Sequence, residues 1–192
     1  MSFARSLLTK RLSKPIVFAL RPTPCIPRVA RSFSVGVPRW NRVSDAEEQI
    51  QLGTSYLNKG SLDMAMNSYH RSVQLAPSGA GYFNIGVCYF QMGKHRDAIK
   101  AFEQSLEYSP NSADAHTNIA SAYLMLKNVS EAVKHLEKAS NFNPLDGEVQ
   151  YNLGCVYEAT GNLEGAKTRF ERAKNLGIEK ADSALQKLSK NL

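Results

Sequence analysis

The chain has 192 residues and a formal charge of +7, from 24 Lys and Arg against 17 Asp and Glu. The excess lies in residues 1–44, which hold nine basic side chains and no acid; from Asp45 onward 15 Lys and Arg face 17 Asp and Glu. Composition therefore argues against a basic nucleic-acid-binding surface on the later part, no stretch approaches the ~18 apolar residues of a membrane span, and three cysteines without CxxC spacing argue against a disulfide framework or zinc site.

Residues 1–33 are Arg-rich, Ser-rich and acid-free, the composition of a mitochondrial transit peptide. Phe3, Ala4, Leu7, Leu8 and Leu12 share a broad helical arc with Arg5 and Lys10 towards its edges. Arg31-Ser32-Phe33-Ser34 resembles a matrix-processing site, which puts the mature start near Phe33 or Ser34. The apolar run Ile16-Val17-Phe18-Ala19-Leu20 is shorter than the ~7–15 residues of a secretory signal. The expected destination is the mitochondrial matrix, with peripheral contact with the inner membrane left open. Residues 34–45, containing Val35-Gly36-Val37-Pro38, are expected to be a linker, with Trp40 a linker residue.

From residue 46 the sequence repeats itself. Leu52-Gly53-Thr54-Ser55-Tyr56 aligns with Ile85-Gly86-Val87-Cys88-Tyr89, Ile119-Ala120-Ser121-Ala122-Tyr123 and Leu153-Gly154-Cys155-Val156-Tyr157. In phase with these stand alanines (Ala65, Ala98, Ala132, Ala166), large apolar residues (Tyr69, Phe102, Leu136, Phe170) and small residues (Ser72, Ser105, Ala139, Ala173). The first three units close on Pro77, Pro110 and Pro144. Each unit predicts two amphipathic helices joined by a turn, at Lys59-Gly60-Ser61, Met92-Gly93-Lys94, Lys127-Asn128-Val129 and Thr160-Gly161-Asn162. The small residues let the two helix backbones approach closely, and the prolines stop the second helix. A last stripe, Ala181, Ala184, Leu185 and Leu188, predicts a capping helix over 180–192, with Lys180, Gln186, Lys187 and Lys190 facing away.

This pattern resembles the tetratricopeptide-repeat (TPR) family, whose signature is L-G-x2-Y, A-x3-F and P at a period of about 34 residues. The resemblance covers residues 46–178, in units of about 46–78, 79–112, 113–146 and 147–179. It implies an all-α, right-handed solenoid of four helix-turn-helix repeats plus the cap. The chain departs from the family where Gln49, Tyr82, His116 and Gln150 replace a first-helix tryptophan, where Ala120 replaces glycine, where Lys127 replaces a turn glycine, and where the fourth repeat ends at Ile178.

The resemblance further implies that the first helix of each repeat lines a concave peptide-binding groove. The inner positions then include Gln51, Asn84, Asn118 and Asn152 in register, with Phe83, Val87, Phe90, Thr117, Leu124 and Tyr151 around them. The amide row resembles the asparagine ladder of the O-linked N-acetylglucosamine transferase repeats, which implies carboxamides gripping a peptide backbone with both donor and acceptor. Asn is a poor helix former on an exposed face, so repetition in phase calls for a reason; its frequency in TPR sequences is the plainer one. Glu47, Asp114, Glu148 and Glu158 add acid, so the expected ligand has apolar anchors and some basic character. The extra apolar residues could instead pack against the cap helix near Tyr151. The cationic members of the clamp with which chaperone adaptors hold acidic tails are missing: the matching positions are Ile50, Thr54, Asn84, Asp114 and Asn118, or one repeat later Phe83, Val87, Asn118, Glu148 and Asn152.

No catalytic residues, metal site or cofactor motif are expected. His70, His95, His116 and His135 lie without metal-ligand spacing, and only His116 is expected to face the groove. The reading is a non-catalytic, monomeric protein-binding scaffold in mitochondria, an assembly or biogenesis factor for a protein or peptide client, with no nucleic acid expected. An RNA-associated helical-repeat factor in mitochondrial gene expression, or a non-catalytic subunit of a mitochondrial enzyme complex, remain the alternatives.

Overall fold

The computed structural model describes residues 39–189, without the side chains of 39 and 40. The transit-peptide reading of 1–33 lies outside these residues. Nine α-helices and no strand occur among those described: α1 (Arg39–Asn58), α2 (Leu62–Leu75), α3 (Gly79–Gln91), α4 (His95–Tyr108), α5 (Ala113–Met125), α6 (Val129–Phe142), α7 (Gly147–Ala159), α8 (Leu163–Asn175) and α9 (Lys180–Leu188). The first eight form four antiparallel hairpins, each packed on the next, and α9 packs on α8.

All four hairpin turns close alike. The second residue after the first helix is left-handed: Gly60 at φ 75°, Gly93 at 74°, Lys127 at 62° and Gly161 at 82°. The next residue reaches back to a tyrosine carbonyl in each, from Ser61 to Tyr56, Lys94 to Tyr89, Asn128 to Tyr123 and Asn162 to Tyr157, at 2.9 Å every time. This is the Schellman closure of a helix. Side-chain caps start most later helices: Ser78 accepts from the Gly81 N–H, Ser112 from Ala115, Asn128 from Glu131, Asp146 from Glu148 and Val149, and Asn162 from Gly165.

Inside each hairpin a small residue on the first helix meets a large one on the second. A Cβ added to Gly53 would lie 2.6 Å from the Tyr69 ring, one on Gly86 2.6 Å from Phe102, and one on Gly154 2.7 Å from Phe170. The third repeat shares the pattern in altered form, with Ala120 in place of glycine and Leu136 in place of the ring, both in one buried cluster. The extra methyl and the smaller partner compensate each other. These contacts join with Ile85, Cys88, Ile119, Ala122, Leu153 and Val156 from the following first helices, so the core runs along the stack.

The two ends differ. Residues 39–45, expected as linker, belong to α1, and Trp40 lies in its first turn. After Pro38 no proline, and before Gly53 no glycine, interrupts the helix. On the outer face of α1, Leu52 is 40% exposed, whereas its counterparts Ile85, Ile119 and Leu153 are buried between repeats. At the other end α9 buries Ala181, Ala184 and Leu188, the latter two against Ala166 and Phe170, and Lys174 pairs with Asp182 at 2.6 Å. The cap thus supplies the apolar cover that a terminal repeat lacks.

Candidate functional site

The first helices stand side by side: α1 touches α3 and α3 touches α5. They form the wall on which the inner positions lie. Gln51 is exposed, while Phe83, Val87, Phe90, Asn118, Tyr151 and Asn152 are half-buried. Phe83 leans on Phe102 at 5.4 Å and Phe90 on His95 at 5.1 Å, and both pack against the core cluster of the second repeat while staying partly exposed.

Three expected wall residues do not offer open surface. Asn84 is 6% exposed, Thr117 2% and Leu124 9%. The helices that stack here approach closely enough to enclose side chains of this size. Thr117 also returns its hydroxyl to the Ala113 carbonyl at 2.9 Å, and Leu124 belongs to the core cluster around Ala132 and Leu136. The amide row that faces solvent is therefore Gln51, Asn118 and Asn152, interrupted at Asn84. Asn118 donates one N–H to the Asp114 carbonyl at 2.9 Å, and Asn152 forms no hydrogen bond among the described residues.

Acid gathers at the lip between the third and fourth repeats. Asp146 caps α7 through Oδ1, which accepts from the N–H groups of Glu148 (2.9 Å) and Val149 (3.1 Å). Partial burial and then the Asp146 charge raise the Asp114 carboxyl above its usual range. Glu148 holds Lys180, whose Nζ lies 2.6 Å from Oε2 and 4.4 Å from the centre of the Tyr151 ring. Lys180 therefore does not face away, as sequence reasoning expects, but crosses from the cap onto the wall. A clue exists in the register: Lys180 stands 32 residues after Glu148, almost one repeat, so the start of a helix stacked as a fifth repeat falls beside it.

The slot that holds tryptophan in the family is filled differently in each repeat. Tyr82 stacks on Tyr108 at 5.7 Å, and His116 on Phe142 at 5.6 Å. Gln150, fully buried, donates to Ser140 Oγ (2.9 Å) and the Pro144 carbonyl (3.3 Å) and accepts from Arg169 (3.0 Å). His116 is 5% exposed rather than groove-facing, because this position points into its own hairpin. Its Nδ1 lies 3.0 Å from Nδ1 of His135, a contact no sequence spacing announced. Such a bond needs one nitrogen protonated and the other bare. Burial first, then His135 and Lys138, push the His116 pKa down to about 4, and burial followed by Lys138 lowers His135. Cys88 is buried, and that burial lifts its thiol to about 11, away from any nucleophilic range. Among the described residues no three His, Cys, Asp or Glu side chains cluster as a metal site requires, and no helix is long and apolar enough to cross a membrane.

A stack of helical hairpins with an amide-, aromatic- and acid-lined wall defines a scaffold for protein–protein interaction. Models of the tetratricopeptide repeat match residues 49–78, 89–151 and 147–176, more than half of the chain. The chain belongs to the tetratricopeptide-repeat family. It is 30% identical over 92 residues to the tetratricopeptide repeat and J domain-containing co-chaperone DNJ1 of Cryptococcus neoformans, covering 47% of this chain and 18% of that protein. Its fold is that of PilF from Pseudomonas aeruginosa, with a TM-score of 0.71 at 22% identity over 78% of this chain and 70% of that one. The first TPR of Spaghetti (RPAP3), solved bound to the HSP90 peptide SRMEEVD, aligns with a TM-score of 0.56 at 28% identity, over 59% of this chain and 92% of that one.

Proposed function

We propose that this chain is a non-catalytic scaffold of the mitochondrial matrix, an assembly or biogenesis factor that holds an extended client segment along its inner wall. The observation that carries the binding mode is the pair Asn118 and Asn152. They stand at equivalent places in successive repeats, both half-exposed, with amide capacity that the described residues leave unspent. Two such carboxamides suit the donor and acceptor of a peptide backbone. Phe83, Phe90 and Tyr151 beside them supply apolar contact. The Arg-rich, acid-free residues 1–33 support the compartment.

The acidic lip speaks against two other ligands. A tail such as SRMEEVD, bound by the Spaghetti repeats, would meet Asp114, Asp146 and Glu148 where a cationic clamp would be needed. RNA phosphates would meet the same charges. The reading is tested by crosslinking with mass spectrometry in intact mitochondria, comparing wild type with an Asn118→Ala, Asn152→Ala double variant. Client crosslinks are expected to disappear while circular dichroism stays unchanged. Undiminished crosslinks would refute the grip, and recovery of the chain outside the matrix would refute the compartment.

A further inference from the structure

We propose that the fourth-repeat end of the wall is a subsite for a Lys or Arg side chain, formed by Glu148 and Tyr151 and occupied in the free protein by the cap's own Lys180. This rests on the reading of the wall as a peptide-binding surface. A carboxylate and an aromatic face directed at one ammonium are the two groups that recognise an alkylammonium or guanidinium side chain. Lys180 shows that the geometry accepts one, with its 2.6 Å ion pair and 4.4 Å ring contact.

Lys180 is also poorly placed to stay. It is the first residue of α9, where the positive end of the helix dipole disfavours a cation. Its side chain and that of Glu148 are 47% and 41% exposed, so water competes for the pair. The neighbouring charge favours a second cation: among the described residues neither Asp114 nor Asp146 has a Lys or Arg within ion-pair distance, and the two acids already repel each other. The occupant that fits is a basic segment of a partner protein, its backbone along Asn118 and Asn152 and its cation at Glu148. The cap is then a competitor in cis as well as a cover.

Two fluorescein-labelled nonapeptides, one alternating Lys and Leu and one alternating Glu and Leu, test this by anisotropy with the full chain. Lys180→Ala is expected to tighten binding of the Lys peptide about five- to tenfold, as removal of one exposed ion pair and its ring contact should. Adding Glu148→Gln is expected to abolish that gain, and the Glu peptide is expected to bind no variant. Lys174→Ala, which breaks the other cap ion pair, is expected to change nothing. An unchanged or weaker affinity for Lys180→Ala, an equal gain for Lys174→Ala, or a gain that survives Glu148→Gln would overturn the subsite. So would concentration-dependent self-association of Lys180→Ala without peptide, which would assign the site to a second copy of the chain. If wild-type binding falls with the Asn118→Ala, Asn152→Ala pair while Lys180→Ala has no effect, the subsite alone is refuted; if no variant binds the Lys peptide, the subsite and the peptide-binding wall fall together.

Discussion

Substituting Gly86 by alanine puts a methyl carbon 2.6 Å from two atoms of the Phe102 ring. That is about 0.8 Å inside ordinary contact. Phe102 is fully buried and leaned on by Phe83 at 5.4 Å, so the ring cannot swing clear without displacing its cluster. Overpacking of this kind costs about 1–3 kcal/mol. Replacing a mid-helix glycine returns about 1 kcal/mol of helix propensity, so the net loss should be up to about 2 kcal/mol. The third repeat shows the remedy, since Ala120 is accommodated by Leu136. In a Phe102→Leu background the same Gly86→Ala change should be neutral or stabilising by up to about 1 kcal/mol. The coupling energy of the cycle is therefore expected near 2 kcal/mol in favour of the double variant. Urea unfolding followed by far-ultraviolet circular dichroism measures all four corners. Equal penalties in both backgrounds, within about 0.5 kcal/mol, would refute the idea that the glycine exists to admit the ring.

Acid should loosen the third repeat. The His116 pKa is lowered from 6.5 to about 4 in the fold, so the unfolded chain binds the extra proton first. Stability is then retained above pH 6.5 and lost progressively as pH falls towards 4. A His116→Tyr variant, borrowing the solution of Tyr82, should flatten that slope in urea titrations at successive pH values; an unchanged slope would place the proton uptake elsewhere. Lys127 holds the left-handed conformation at φ 62° that glycine takes in the other three turns. Lys127→Gly should raise stability by about 0.5–1 kcal/mol in thermal unfolding, the relief of the Cβ clash less the entropy that glycine gains in the unfolded chain. A loss would mean that the lysine side chain has a stabilising role of its own.

Much of the fold was legible because repeat architecture is written locally. The left-handed turn residues Gly60, Gly93 and Gly161 follow a tyrosine at fixed distance, and the small residues at Gly53, Gly86 and Gly154 announce the large ones that fill the space beside them. Even the departure at Ala120 is readable once Leu136 is seen opposite. The site was legible only in part. Asn84 shares its register with Asn118 and Asn152, yet burial removes it from the row. Register says which side of a helix a residue occupies, not how closely the next helix covers it.

The sequence alone determined the helices, their pairing and the direction in which they stack, since each depends on neighbours within about one 34-residue repeat. Tertiary structure alone decided which inner positions stay open, that His116 and His135 share a hydrogen bond, and that Lys180 crosses to Glu148 and Tyr151. Those outcomes turn on distances between side chains from separate helices. A periodic pattern constrains such distances only through the packing it produces, and a few ångströms there separate a buried amide from an available one.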